Sequence, residues 1–245
     1  MDHKIHFANE TNYWWFKSRR KFLKTILKSI PNKEAKTVLE VGCGTGGNLK
    51  YLFNEFKFAS GIDNSPNALS LINKFNLDVK VKFGDANKLN VIKEKYDLIA
   101  LLDVLYHEDI INVEKVINQT RHCLNDNGFI LISEPAFDIL SGMHSKTVQE
   151  KRRFNKSQLE SYLKNAGYKN IIISRYWGFI LFPLLVIKRR IFEPIMGKQK
   201  NNADTDFKSI PLIDTILFIL TSLESIFFSE LNFPLGSSCV ILAKK

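Results

Sequence analysis

The sequence predicts an α/β fold, a doubly wound and mainly parallel sheet, on three observations. The first is a β-prone run, Thr37 to Val41, that ends in Gly42, Gly44 and Gly46 and passes into a stretch from Asn48 to Phe56 with Leu49, Leu52, Phe53 and Phe56 at helical spacing. Strand, tight glycine turn and helix open a Rossmann-like βα unit, in which glycines adopt backbone angles closed to other residues and let a ligand lie against bare backbone. The second is that strand-like and helix-like stretches go on alternating through a fifth strand that ends at Glu134-Pro135, the pattern of a layered α/β sheet. The third is an acid, Asp63, about 20 residues past the glycines at the end of the second strand, the place where such folds hold ribose hydroxyls.

The elements follow in order. Thr11 or Asn12 is positioned to cap a first helix running to about Ser29, dense in aromatics at its start (Tyr13, Trp14, Trp15, Phe16) and apolar at Phe22, Leu23, Ile26, Leu27 and Ile30. Phe58 to Asp63 reads as the second strand, and Ser65-Pro66 as the cap and first turn of the next helix. Val79 to Phe83 alternates apolar and basic as a half-exposed third strand would, and Tyr96 to Leu102 is an apolar fourth. Ile111 to Cys123 is an amphipathic helix, Asn125 to Gly128 a turn, and Phe129 to Ser133 the fifth strand. Ser157 is placed to cap a helix over Gln158 to Asn165, with Gly167 beyond its end. Tyr168 to Ser174 and Ser238 to Ala243 are the sixth and seventh strands.

The glycine spacing is Gly-x-Gly-x-Gly, and Glu40 stands two places before the first glycine. A dinucleotide needs its pyrophosphate on the helix N-terminus, whereas an acid just before the turn suits a cationic group. Glu40-Val41-Gly42-Cys43-Gly44-Thr45-Gly46 resembles motif I of class I S-adenosylmethionine-dependent methyltransferases, and Gly61-Ile62-Asp63-x-Ser65-Pro66-x-Ala68-Leu69 resembles that family's second cofactor segment. The run Trp14-Trp15-Phe16-x-x-Arg19-Arg20 resembles the N-terminal helix of a bacterial subgroup of the type 11/12 methyltransferases, found beside sugar and lipid pathways. The resemblance covers roughly residues 10–175 and 233–245.

The resemblance implies a seven-stranded sheet with an antiparallel last strand and S-adenosyl-L-methionine as cofactor. It implies cofactor contacts from Trp15, Arg19, Glu40, Gly42, Cys43, Gly44, Asn48, Asp63, Asn64, Asp85, Ala86 and Asp103. Within that set Trp15 is a cation–π partner for the sulfonium, Arg19 the partner of a carboxylate, and Asp85 the acceptor of the adenine amino group. Asp103-Val104-Leu105-Tyr106-His107 follows the fourth strand, where open α/β sheets place their ligands. His107 and His144 are the candidate bases, and Tyr106, Glu134, Arg152 and Arg153 the candidate acceptor contacts, the two arginines pointing to an anionic acceptor. Ser145 stands where the family usually has Asp and Phe154 where Tyr is frequent, which weakens the carry-over of an acid/base role to those positions.

Composition sets further bounds. The chain of 245 residues is 45% hydrophobic and 24% charged, enough for one full core. Met1 to Glu10 lacks the apolar run of a secretory leader. Three dispersed cysteines, Cys43, Cys123 and Cys239, point to a reducing, cytoplasmic setting and give no metal-site spacing. Residues 61–135 hold 8 Lys/Arg against 11 Asp/Glu, while residues 1–60 hold 11 against 5 and residues 136–245 hold 16 against 9. Basic flanks around a mildly acidic centre attract phosphate or an anionic membrane surface. Nucleic acid is not the expected acceptor: no Asn/Asp-Pro-Pro-Tyr follows the fourth strand, where amino-directed enzymes hold a flipped base.

Some sixty residues separate the sixth and seventh strands, where the resembled fold needs a turn. They contain two apolar runs, Tyr176 to Ile187 (closed by Lys188-Arg189-Arg190) and Ile210 to Phe228, around a polar stretch from Met196 to Phe207. The first run is too short to span a bilayer and the second carries Asp214 and Glu224. Three units are therefore expected: an N-terminal capping region, 1–34; a cofactor-binding core, 35–175 and 233–245; and a helical insertion, 176–232, that is a lid, a dimer surface or a membrane contact. The function implied is methyl transfer to a small-molecule, sugar- or lipid-linked acceptor. A cofactor-binding scaffold without turnover is the alternative.

Overall fold

A computed structural model describes residues 10–74, 79–195, 210–227 and 231–245. The polar stretch Met196 to Phe207 and residues 1–9 lie outside the described residues. One seven-stranded sheet runs in the order β3-β2-β1-β4-β5-β7-β6, formed by β1 (Thr37–Val41), β2 (Phe58–Asp63), β3 (Lys80–Phe83), β4 (Tyr96–Leu102), β5 (Leu124–Pro135), β6 (Asn170–Trp177) and β7 (Ser238–Lys244). All neighbours pair in parallel except β7, which lies antiparallel to both β5 and β6.

The alternation of side chains along each strand supplies two cores. Leu98, Ala100 and Leu102 of β4 join Leu23, Ile26, Leu27 and Phe53 on one face. Ile99 and Leu101 join Val116, Ile117, Leu159 and Leu163 on the other. Helices cover both faces, so the central strands read as unbroken apolar runs.

The helices differ from expectation at their ends. The first helix, α1 (Trp14–Leu27), starts at Tyr13 with no side-chain cap. Thr11 instead offers its carbonyl oxygen to Arg20, at 3.3 Å. The helix after the glycine turn, α2, spans only Gly47–Tyr51, although Leu49, Leu52, Phe53 and Phe56 are all buried as their spacing required. Pro66 opens α3 (Pro66–Lys74), where Ser65 Oγ accepts the Ala68 N–H. Helix α4 (Val113–His122) is capped by Asn112. The turn expected at Asn125 to Gly128 is a bulge within β5: the register jumps from Leu124 opposite Tyr96 to Phe129 opposite Leu98, and Asn127 takes φ +63°. After β5 come the one-turn helix α5 (Met143–Thr147) and α6 (Lys156–Asn165). The cap of α6 is Asn155, in a reciprocal capping box with Gln158, and not Ser157.

Among the described residues the insertion holds two helical stretches. Residues Tyr176 and Trp177 of its first apolar run complete β6. The remainder forms α7 (Leu181–Ile187), with Pro183 in the first turn where its missing N–H costs nothing, and continues through a π-helical turn at Lys188–Phe192. The second run forms α8 (Pro211–Phe227). Helix α8 is fastened to the rest of the fold by polar groups. Thr221 and Ser18 of α1 join hydroxyls at 2.7 Å. Glu224 accepts the N–H groups of Gly178, Phe179 and Ile180 at 2.7, 2.9 and 3.2 Å, closing the turn before α7. The acid that interrupts the apolar run is therefore an internal tie. Among the described residues no helix is long and apolar enough to cross a membrane.

Candidate functional site

Strand order reverses between β1 and β4, and such a switch point leaves a crevice beyond the strand ends. A cavity of about 790 Å³ lies there. Its floor is the glycine turn, stitched to β2 by hydrogen bonds from Gly42 N and Cys43 N to the Ile62 carbonyl (2.8 and 3.1 Å) and from Gly44 N to Asp63 Oδ2 (2.8 Å). Gly42, Gly44 and Gly46 all have positive φ. A Cβ on Gly42 would strike Val104 Cγ2 at 2.6 Å, while one on Gly44 would meet nothing within 4 Å and would stand in the cavity.

The structure brings most of the predicted site residues to this cavity. Trp15, Arg19, Glu40, Gly42, Cys43, Gly44, Asn48, Asp63, Asn64, Asp85, Ala86 and Asp103 line it, with Tyr106, His107, His144 and Arg153. Several are already engaged. Asp63 Oδ1 accepts Ser65 N at 2.8 Å, so both carboxylate oxygens brace the loop that forms the floor. Asp85 accepts Asn87 N at 2.8 Å. Cys43 packs under Gly61, and burial raises its thiol pKa far above the ordinary value. Asp103 is held at φ +59° and pairs with Arg19 at 3.0 Å, and the Arg19 guanidinium lies 5.3 Å from the Trp15 ring. Helix α1 is thereby latched across the end of β4.

Two buried groups of opposite sign face the same cavity with capacity to spare. Glu40 Oε1 accepts Asn48 Nδ2 at 2.7 Å, but Glu40 Oε2 has no donor among the described residues. Arg19 Nε likewise has no acceptor. Burial, reinforced by the Glu10 and Asp63 carboxylates, pushes the Glu40 carboxyl up to about 8, against the pull of Asn48. Orphaned buried polar groups are costly, and one ligand carrying both an ammonium and a carboxylate would satisfy both.

Three of the residues expected to contact the acceptor are used otherwise. Glu134 is fully buried and does not line the cavity: its carboxylate accepts the N–H groups of Val104, Leu105 and Tyr106 at 3.0, 2.8 and 3.2 Å. Burial and the neighbouring Asp103 raise its pKa, while the three N–H donors favour the ionised form. Arg152 also lies away from the lining and donates to the carbonyls of Ile110 (3.0 Å) and Leu105 (3.5 Å). Arg153 makes a bidentate pair with Glu150, both contacts 2.6 Å. An anion clamp built from Arg152 and Arg153 does not form, because their positive charge is spent on the loop itself. His107 Nδ1 is turned to its own loop, accepting the Asp109 N–H at 3.2 Å and lying 3.5 Å from Asp109 Oδ2, while the residue lines the cavity. His144 lines the cavity from α5.

Residues 14–172 match the family model described as a methyltransferase domain. The chain belongs to the methyltransferase-domain family. Phosphoethanolamine N-methyltransferase of Plasmodium falciparum (isolate 3D7) is 24% identical over 170 residues, which cover 64% of this chain and 64% of that relative's length. An S-adenosylmethionine-dependent methyltransferase from Clostridium acetobutylicum ATCC 824 superposes with a TM-score of 0.59 at 15% identity, covering 98% of this chain and 96% of its own. Haemonchus contortus phosphoethanolamine N-methyltransferase 2, in complex with S-adenosyl-L-methionine, superposes at 0.57 with 18% identity, covering 92% of this chain and 52% of its own. These two share the fold.

The cofactor of this methyltransferase is S-adenosyl-L-methionine. The residues present fit it on two counts: the bare backbone at Gly44 leaves room for a ligand to lie close, and the unmatched Glu40 and Arg19 atoms suit the two charges of an amino-acid end. Other lining residues escaped the sequence reading. Glu10 is buried, receives the Thr45 hydroxyl and fills the space beside Gly47. Leu181, Leu184, Leu185, Ile213 and Leu217 of α7 and α8 line the far side of the cavity. Glu10 gave no signal because its partners are about 35 residues away; the insertion did, through its position before the last strand.

Proposed function

We propose that this methyltransferase modifies a small acceptor with an apolar body, bound between the Asp103–His107 loop and helices α7 and α8. The observation that carries this reading is the continuity of one cavity from the glycine turn to the apolar side chains of the insertion. Lys188 and Arg189 also line that far side, which supports a polar or anionic group on the acceptor. The Plasmodium relative is named for phosphoethanolamine, a small phosphorylated molecule that shares the anionic group of this acceptor but not its apolar body. In this reading the insertion, 176–232, is the acceptor-side cover of the core, 35–175 and 233–245, and the chain works in the cytoplasm.

Bound S-adenosylmethionine supplies an electrophilic methyl group. The chain's own contribution is positioning and exclusion of water, effects that need no strong base. Glu40 and Arg19 would hold the amino-acid end, Asp63 and Asp85 the nucleoside, and Trp15 the sulfonium. The direct test is transfer of a labelled methyl group to fractionated small molecules and lipids. Label is expected in a low-molecular-weight acceptor; cofactor binding with no labelled product in any fraction would make the chain a scaffold.

A pH dependence follows from Glu40. A carboxyl titrating at about 8 is protonated at neutral pH and must release its proton when a cation binds against it. Cofactor affinity is therefore expected to rise with pH up to about 8 and level off above, by at most about tenfold per unit. Calorimetry in buffers of differing ionisation enthalpy measures the released proton. Glu40→Gln should flatten the profile, and an unchanged profile in that variant would remove Glu40 from the binding step.

A further inference from the structure

Helix α8 is built inside out. Its inward face carries Thr221, Ser222, Glu224 and Ser225, all buried. Its outward face carries Leu212, Ile216, Ile219, Leu223 and Ile226, each between 41% and 72% exposed. The spacing of that outward stripe is four, three, four and three residues, one continuous seam along the helix. In water a surface helix turns the opposite way, so the apolar seam points to an apolar occupant. Helix α7 and the π-helical turn after it continue the pattern, with Ile187, Ile191 and Phe192 about half exposed.

The charge beside the seam identifies that occupant. Lys17 and Lys21 of α1 reach over the Phe218 ring at 4.8 and 5.9 Å, next to Ile219 at the middle of the stripe. No Asp or Glu occurs between Thr11 and Lys33, and the two acids of α8 point inward, Glu224 into its N–H ties and Asp214 towards the cavity. Among the described residues, a second copy paired across the seam by a two-fold axis would bring four lysines together with no acid of α1 or α8 between them, an unfavourable like-charge contact. An anionic bilayer matches both features: the isoleucines enter the acyl boundary while the lysine stems lie along Phe218 and deliver their charge to the headgroups. The cavity opens on this side, since Leu184 and Ile213 both line it and stand about half exposed.

We propose that the outward face of α7 and α8 docks on an anionic bilayer surface and that the acceptor, an amphipathic molecule, enters the cavity from the membrane. The second half rests on the methyl-transfer reading of the cavity; the first does not. Of the cations that close the first apolar run, Arg190 donates to the carbonyls of Ile139 and Asp138 (3.0 and 3.2 Å) and Lys188 and Arg189 line the cavity, so the cations set over the seam are Lys17 and Lys21.

The test is co-sedimentation with vesicles of phosphatidylcholine alone and of an equal mixture with phosphatidylglycerol, at low and high salt. The protein is expected to pellet with the mixed vesicles at low salt and to be partly released at high salt. Ile216→Asp with Ile219→Asp should weaken vesicle binding at least about tenfold. Both positions are exposed and outside the cavity lining, so cofactor affinity by calorimetry should be unchanged and confirms that the variant is folded. A wild-type protein that stays in the supernatant with both vesicles overturns the proposal. So does a double variant that pellets like the wild type, or a dimer on gel filtration that the same variant splits while neither form binds vesicles. Vesicle binding without methyl transfer would instead sink the catalytic reading and leave the docking surface standing.

Discussion

Gly44→Val is expected to weaken S-adenosylmethionine binding at least about a hundredfold, close to 2.7 kcal/mol, measured by calorimetry on the folded variant. Two features of the site produce this. Gly44 sits at φ +53°, and a Cβ there meets no protein atom within 4 Å, so a valine side chain stands in the cavity without being expelled by a clash. The backbone strain of a side chain in the left-handed region adds about 1–2 kcal/mol, a fall of roughly 2–8 °C in melting temperature for a chain of this size. Gly42→Ala provides the contrast. Its Cβ would lie 2.6 Å from Val104 Cγ2 at φ +71°, so its principal effect is on stability and only secondarily on binding. If Gly44→Val binds the cofactor as the wild type does, the ligand does not lie against this turn and the placement of the whole cofactor end is wrong.

How much of this was legible in the sequence depended on the range of the forces involved. Strands β2 and β4 were read residue for residue, Phe58–Asp63 and Tyr96–Leu102, because a short apolar run bounded by charge and turn residues has one stable use in a two-sided sheet. Burial of Leu49, Leu52, Phe53 and Phe56 was equally clear, but helical spacing does not require a helix throughout, and α2 ends at Tyr51. The cap of α6 went to Asn155 because only that residue has Gln158 three places into the helix to return the hydrogen bond.

Site residues split in the same way. The glycine turn, Asp63 and Asp85 follow local chain geometry and reach the cavity. Arg152 looked like a free cation because the Ile110 carbonyl that binds it is 42 residues away and joins the loop only in the folded chain; the partner of Arg153, Glu150, stands three residues before it, a local pairing the sequence reading passed over. The apolarity of α8 was plain, yet which face turns inward is decided by Ser18 and the three N–H groups of Gly178 to Ile180, about 200 and 45 residues away.

Glu134→Ala is expected to destabilise the fold by on the order of 3 kcal/mol and to abolish methyl transfer even where the protein remains folded. The carboxylate terminates β5 and receives three successive N–H groups of the loop that follows β4. Alanine leaves those donors buried without acceptors, each costing about 1–3 kcal/mol less whatever water recovers in the space vacated. The same loop carries Asp103, which latches α1 through Arg19, and Tyr106 and His107, which line the cavity. Releasing it therefore loosens the cofactor end and the acceptor end together. Glu134→Gln separates packing from hydrogen bonding: its amide oxygen can still accept two of the donors, while its NH2 meets the third N–H unfavourably. Urea melts should rank wild type above Gln above Ala, and methyl transfer should fall in the same order at a temperature where all three are folded. A Glu134→Ala protein with wild-type stability and turnover would show that the Val104–Tyr106 backbone holds its course without the carboxylate, and the support assigned to Glu134 would have to come from the Asp103 N–H bond to the Ser133 carbonyl at 2.8 Å.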